Sequence, residues 1–417
     1  MSSRPNVPLE RHKYKISDII LTADDFEEPI LVSHKFVRSL AVINDFDNNI
    51  SPKIQLVFQV DKNIYENIIL NMNTLTADFT IYKIFIGELT DSSDILTDEE
   101  LEQDHVWRRM NLKALNEDNI SMTNANQLSE DDEIKDESVD NSQKTAMMTL
   151  LLYDNNKITK YKKSNYFIIN GGKNDVIYNF FKDRDFSNIL MTPTDNTNST
   201  YIIPYGHLGE NFNYLNSYYG IYNNPYLFFM DIDCVYFIDK GNVGTTLRTG
   251  ELKTVSVYLE KENTTGYISC GSYCDVDNNM YILNTSSFDI SDNDSSIDYA
   301  IGGTIKTVIG GTGEIKTDKI GNYDVERTVV VDNEKQHSQL IQTIKEQRRN
   351  LILQFSNIDI SIITPNKKFT ILPDESFYNN KYDLKGDYRL TKTLLLLKRT
   401  NEDELSSSIQ IGLSKIL

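Results

Sequence analysis

A chain of 417 residues and 48.0 kDa has room for roughly two to four domains with real cores. Hydrophobic residues are 39 % and aromatics 10 %, led by 24 Tyr and 18 Phe, which excludes wholesale disorder. Acidic residues outnumber basic ones 61 to 42, for a net charge of -19 and a pI near 4.7, so the chain repels phosphate backbones and anionic lipid and is no dedicated nucleic-acid or membrane-surface binder. That balance still permits a protein that surrounds nucleic acid without gripping it. No window approaches the roughly 18 consecutive apolar residues of a membrane-spanning helix. The basic, polar opening up to Lys15 lacks an apolar h-region, so no secretory signal is expected. Cys234, Cys270 and Cys274 are too few for a disulfide framework, and reduced thiols fit synthesis in a cytosol.

In chain order, residues 16–90 read as strand, strand, helix, strand. Ile30 to Ile43 is β-branched and aromatic, and Asp45-Phe-Asp-Asn-Asn49 supplies turn residues. Ile54, Leu56, Phe58 and Val60 alternate at period two, as in a half-buried strand. Asp61 stands where an N-cap would, before Ile64, Tyr65, Ile68, Ile69 and Met72; β character returns over Phe79 to Ile86. Residues 88–144 break the pattern: seven carboxylates face one lysine in the window 130–140, the composition of a solvated, flexible insertion or of an acidic docking tail. Order is expected to resume at Thr145 to Tyr153.

Residues 154–300 are dense in Tyr, Asn and Phe and are expected to form one or more middle α+β domains. Asn174 is placed to cap a helix through Val176, Ile177, Phe180 and Phe181, while Tyr205 to Tyr226 reads as loop with short elements. Tyr226 to Asp239 predicts two short strands meeting at an acidic corner, and Val255 to Leu259 and Met280 to Leu283 predict further strands. Residues 301–331, punctuated by glycine, suit a hairpin or extended arm, because Ile301-Gly-Gly-Thr and Ile309-Gly-Gly-Thr give only two copies of a repeat. Over 332–417, Asp332 would cap a helix bearing Leu340, Ile341 and Ile344, with Arg348 and Arg349 near its C-terminus; strands follow at Leu351 to Phe355, Phe369 to Leu372, Tyr388 to Leu390, Leu394 to Lys398 and Ile409 to Leu413.

No catalytic constellation emerges, and no catalytic, cofactor-binding or metal-ligating residues are assigned. Gly310-Gly-Thr-Gly-Glu-Ile-Lys-Thr317 lacks the glycine that a phosphate loop needs before its lysine, so a hairpin is expected there. Asp275-x-Asp277-x-Asn279 opens like a calcium loop, but Met280 holds the place of the sharp-turn glycine and Ser286 that of the closing glutamate; Asp292-x-Asp294-x-Ser296-x-Asp298 has the same faults. Cys270 and Cys274 would need two more ligands for a zinc site, and His12, His34, His105, His207 and His337 are scattered. Any two carboxylates could serve a glycosidase, and nothing selects a pair. The Tyr/Asn-rich run Tyr214 to Tyr226 could offer a glycan- or protein-binding surface, or simply the packed rim of a β domain.

The order of parts resembles the baseplate hub proteins of contractile phage tails. Three stretches carry the resemblance: His34-Lys-Phe-Val-Arg-Ser-Leu40 to Met72-Asn-Thr-Leu75, Pro225 to Lys240, and Tyr382-Asp-Leu-Lys-Gly-Asp-Tyr-Arg-Leu390 to Ile416. It implies a mainly β (β-rich α+β) fold: two tube-like β-barrel domains, each with a helix, flanking smaller Tyr/Asn-rich β domains. Residues 1–153, interrupted by 88–144, would make the first barrel, and 332–417 would complete the second. The implied protein is a virion structural component of the tail baseplate, made in the host cytoplasm. It is not an enzyme, needs no cofactor, and contacts no membrane. As a homotrimeric ring it would join a six-fold tail tube to a three-fold central spike or needle, touch other baseplate proteins, and let DNA pass during ejection without specific binding. A negative lumen would then repel phosphates. Alternative readings are another tail-tip or tail-tube ring component, or a carbohydrate- or receptor-binding β protein.

Overall fold

The computed structural model describes residues 5–89, 104–115, 145–245, 254–260, 270–275, 280–291, 303–320, 326–346, 350–374, 384–400 and 405–416. The chain is mainly β. Its N-terminal part comprises β1 (Leu9–Ile16), β2 (Ile19–Thr22), β3 (Ile30–Val32), β4 (Val37–Asp45), β5 (Lys53–Asp61), α1 (Lys62–Leu70), β6 (Thr76–Leu89), β7 (Asp104–Ala114) and β8 (Thr145–Tyr153). Asp61 is the N-cap of α1, as its position predicts, and Ile68 is the residue this helix buries. The Asp45 carboxylate accepts from the backbone N–H groups of Asp47 and Asn48 at 3.3 and 3.1 Å, the self-bonding that makes this run a turn.

Two strands depart from the expected pattern. Within 88–144, β7 pairs with β6 and buries Met110 and Leu112. Its inward alternation also includes Arg108, and a charge at an inward position hides the period of two. In β1, Leu9, His12, Tyr14 and Ile16 are buried between Arg11, Lys13 and Lys15, so the polar opening is a strand along β6. The rest of the acidic insertion, 90–103 and 116–144, lies outside the described residues.

The middle part holds α2 (Asn155–Lys162), β9 (Asn165–Gly172), α3 (Lys173–Lys182), β10 (Ile189–Met191), β11 (Asn198–Gly206), α4 (Leu208–Tyr219), β12 (Tyr226–Met230) and β13 (Val235–Asp239). Val176, Ile177, Phe180 and Phe181 of α3 are fully buried, as expected, and pack with Phe212, Phe229's neighbour Met230, and Phe237 in a second core. The cap of α3 is Gly172 rather than Asn174, whose carboxamide oxygen instead accepts from Thr194 N–H at 2.8 Å. The expected loop across Tyr205 to Tyr226 contains the 12-residue α4, opened by a reciprocal His207–Glu210 capping box. Its stripe of Leu208, Phe212 and Leu215 is diluted by Asn and Tyr, which have weak helix propensity.

Next come β14 (Thr254–Leu259), β15 (Gly271–Asp275), β16 (Met280–Thr285) and β17 (Phe288–Ser291), then β18 (Gly303–Ile309), β19 (Ile315–Ile320), β20 (Glu326–Val331) and α5 (Glu334–Glu346). The chain ends with β21 (Asn350–Phe355), β22 (Lys368–Pro373), β23 (Gly386–Arg399) and β24 (Leu405–Lys415). The middle domain expected over 154–300 is shorter than its composition suggests, because β14 lies in the main sheet between β16 and the distant β22. The expected glycine hairpin is present: Thr312 and Gly313 N–H donate to Ile309 O, with Gly313 at φ 71°. Helix α5, expected to complete a barrel with the C-terminal strands, sits apart from them. It lies on this small sheet, where Ile341 meets Ile305, and its first turn bonds to α4. Asn333, rather than Asp332, supplies the capping oxygen, to Gln336 N–H at 2.9 Å; Arg348 and Arg349 lie outside the described residues.

The N- and C-terminal β units share one 16-stranded sheet. Starting at β4, pairing runs through β5, β8, β7, β6, β1, β15, β16, β14, β22 and β23 and returns to β4, closing a ring of strands. Strands β24, β21 and β17 extend it from the other edge of β23. Side chains Ile409, Leu395, Val42, Ile54 and Leu152 form one core row across five strands. A single hydrophobic cluster fills both units.

Candidate functional site: two seams and an open sheet face

The two β units meet at two seams. At the first, β23 pairs antiparallel with β4 over seven residue pairs, Lys392↔Asp45 to Lys398↔Ser39. A bulge between Leu390 and Lys392 marks the point where β23 changes partner from β22 to β4. The buried Asn44 carboxamide donates to Thr393 Oγ1 at 3.0 Å, and Arg389 grips Asp47 through both terminal nitrogens at 3.0–3.1 Å. Lys240 Nζ reaches the same carboxylate at 2.6 Å. Burial alone would raise the Asp47 pKa, but Arg389 and Lys240 outweigh it and hold it below the ordinary value.

Among the described residues the second seam has a single strand pair, Glu10↔Ser272. Buried polar groups supply the rest. Tyr14 hydroxyl donates to Ile358 O at 2.9 Å and accepts from Ile360 N–H at 2.8 Å. Asp359 N–H donates to Ser272 Oγ at 2.8 Å, and Lys83 Nζ meets the Asp359 carboxylate at 2.7 Å. Burial, then the Asp359 charge, push the Tyr14 pKa well up. Burial opposes ionisation of Asp359 itself, yet Lys83 and Ser361 keep its pKa low.

The predicted acidic corner between β12 and β13 is where the middle part docks. Arg108 of β7 forms a bidentate pair with Asp231 at 2.7 and 2.5 Å, and Lys157 Nζ donates to Ile232 O at 2.6 Å.

One face of the strands β21, β24, β23, β4, β5 and β8 lies on the core, and the other is open. Two rows run across it: Ser408, Leu396, Ala41, Gln55 and Leu151, then Ser406, Lys398, Ser39, Val57 and Thr149. These six strands carry only three carboxylates, Asp45, Asp61 and Asp387, all at or next to strand ends. Against them stand Arg38, Lys53, Arg389, Lys392, Lys398, Arg399 and Lys415. In a chain of 61 acidic and 42 basic residues, this is a neutral-to-basic surface of hydroxyls, carboxamides and half-buried aliphatics.

The motifs with possible chemistry do not converge. Cys234 and Cys270 are buried and Cys274 half-buried; burial pushes all three thiols up, Cys234 to about 12, so they are protonated and poor ligands. Residues 276–279 and 292–298 of the two calcium-like stretches lie outside the described residues. Among the described residues no group of three or more His, Cys, Asp or Glu could hold a metal. A cleft of about 300 Å³ between α2 and the Leu151 end of the open face is lined without a carboxylate or histidine. No helix among the described residues is long and apolar enough to cross a membrane.

A family model described as the bacteriophage PBS1 gene 109 protein matches residues 6–416. Among solved structures, the tail protein from Neisseria meningitidis MC58 is 8 % identical, with 96 % of each chain covered and a TM-score of 0.52. The 43 kDa tail protein of prophage MuSo2 from Shewanella oneidensis is 10 % identical, covering 96 % of this chain and 98 % of its own, at a TM-score of 0.49. A type VI secretion component from E. coli, itself described as similar to the T4 tail proteins gp27 and gp5, gives 9 % identity, 94 % and 76 % coverage, and a TM-score of 0.40. The Neisseria likeness is one of fold. A comparison with curated proteins returned no match.

Proposed function

We propose, from the premise that the chain belongs to the family of the bacteriophage PBS1 gene 109 protein, that it is a structural, non-enzymatic protein of a phage tail and forms the hub ring of the baseplate. The observation that carries this reading is the open face: one uninterrupted sheet surface built by both β units across the β4–β23 seam. Three such chains would give a ring with six similar β units around a hole, matching a six-fold tube above and a three-fold spike below. In this reading the open face lines the hole. Double-stranded DNA would slide past rows of Ser, Thr and Gln side chains with basic residues at scattered positions and no continuous cationic track, so the salt-dependent affinity that would stall it stays small. The mechanism differs from a negative lumen: passage rests on the lack of a continuous cationic track, and most acidic residues are carried elsewhere in the chain.

The test is location. Gold-labelled antibody against this chain should mark the junction of tube and tail tip on intact particles, with ring-shaped density after averaging. Label on the capsid, or none on particles, overturns the reading. A hexameric ring within the tube would favour a tube component, and glycan binding by a monomer a receptor-binding protein.

A further inference from the structure

Strands β18, β19 and β20, with α5 laid across them, form a unit with a core of its own. We infer that this unit is a latch, whatever the chain assembles into: it docks reversibly on the C-terminal end of α4 and swings off as an intact body. Its core is Ile305 and Ile341 with Val329 against them. Among the described residues, neither larger hydrophobic cluster takes a side chain from it. The joint is polar instead, and Asn333 is its centre, because one carboxamide serves two helices. Its oxygen accepts from Gln336 N–H at 2.9 Å and caps α5. Its nitrogen donates to Asn216 O at 3.1 Å and Ser217 O at 2.6 Å, in the last turn of α4. Gln339 and Asn216 exchange carboxamide bonds at 2.9 and 3.0 Å, and Gln336 Nε2 reaches Ser217 Oγ at 3.1 Å. Lys335 Nζ meets the Asp195 carboxylate at 2.6 Å. Its stem lies on Gly220, at φ 64°, where a Cβ would come 2.5 Å from Lys335 Cδ.

Departure of the unit strands no charge, and that makes the joint reversible. Asp195 keeps Lys173 Nζ at 2.8 Å, and its side chain is 46 % exposed even when docked. Asn216 O keeps Gly220 N–H at 3.0 Å, and Asn216 Oδ1 keeps Ile221 N–H at 3.2 Å. On the other side of the joint, Lys335, Gln336 and Gln339 are long polar side chains that water solvates as well as α4 does. Joints of this polar kind within a chain move by default, whereas large apolar ones hold. The unit itself is tied internally. Strand β18 carries a ladder of six pairs on each side, to β19 and to β20. Helix α5 is bound to β19 by Lys316–Glu334 at 3.0 Å and His337–Asp318 at 3.3 Å.

The test is distance measurement between pairs of spin labels on the full chain, with Cys274→Ser to remove the half-buried thiol. Ser199→Cys with Thr328→Cys spans the joint from two exposed positions. Thr317→Cys with Ser338→Cys, also exposed, lies within the unit. Asn333→Asp keeps the oxygen that caps α5 but replaces the donor to α4 with a second oxygen, facing carbonyls at the negative end of that helix. The parent should show a predominant short distance across the joint. Asn333→Asp should add a longer one and raise the ratio of released to docked molecules at least about tenfold, with the distance inside the unit unchanged. A single short distance in both parent and Asn333→Asp overturns the latch, since the joint then does not depend on these bonds. A longer distance that comes with a broadened distance inside the unit overturns it too, because the unit then unfolds from α4 and does not swing.

Discussion

The two seams join the same two β units by different physical means. The β4–β23 seam is a backbone ladder of seven pairs with Leu395 and Leu397 buried beneath it, and its strength comes from sheet continuity and apolar burial. The β1–β15 seam has one strand pair among the described residues, and a buried tyrosine hydroxyl and the Lys83–Asp359 ion pair bridge it further. A ladder distributes its strength over many interchangeable bonds. A clamp concentrates it in a few groups whose loss strands a buried partner. The first seam should therefore answer most to apolar substitutions and the second to polar ones, with one depressed carboxylate at each, Asp47 and Asp359, responding to acid.

The largest expected effect is at the ladder. Tyr388→Asp combined with Leu390→Asp, or Leu395→Asp alone, places unpaired carboxylates among fully buried side chains and should abolish folding, a loss above about 4 kcal/mol. Recovery of soluble protein with a parental melting curve would show that the seam is misplaced. At the clamp, Tyr14→Phe leaves Ile358 O and Ile360 N–H unsatisfied and should lower stability by about 1–3 kcal/mol, read as a shift in denaturant midpoint at constant slope. An unshifted midpoint would mean that water replaces the hydroxyl.

The pH response is smaller and signed. Asp359 and Asp47 both have depressed folded pKa values, so their contribution is fully present above the unfolded carboxylate range, near pH 4–5, and is lost as pH falls through the lower folded values. Lys83→Met removes the cation that keeps Asp359 ionised, so the acid limb should begin at higher pH, with a loss of about 2 kcal/mol at neutral pH. Identical acid limbs for parent and variant would remove the electrostatic role of the clamp. Smallest of all, Ser408→Ala on the open face should change stability by less than about 0.5 kcal/mol, since its side chain serves neither seam. A larger loss would mean that this face is packed within the chain.

Much of the fold was legible because it is local. The alternation Ile54 to Val60, the apolar stripe of α3, the glycine hairpin and the acidic corner all appear where their residue types require. What escaped was masked or nonlocal. Arg108 hid β7 because its charge is neutralised by Asp231 on a distant hairpin, and Asn and Tyr diluted the stripe of α4. The placement of β14 beside β22, and both seams, depend on pairings across a hundred residues or more that no local period encodes. The open face escaped for the same reason: its shortage of carboxylates is visible only once six strands from both ends of the chain lie side by side.

The ring is the central claim, and the native mass of the purified chain by light scattering tests it most directly. A value near 144 kDa, three times 48.0 kDa, is what the account predicts. A mass that stays at 48.0 kDa across the concentration range, with the tail tube and spike proteins added as templates, would contradict it.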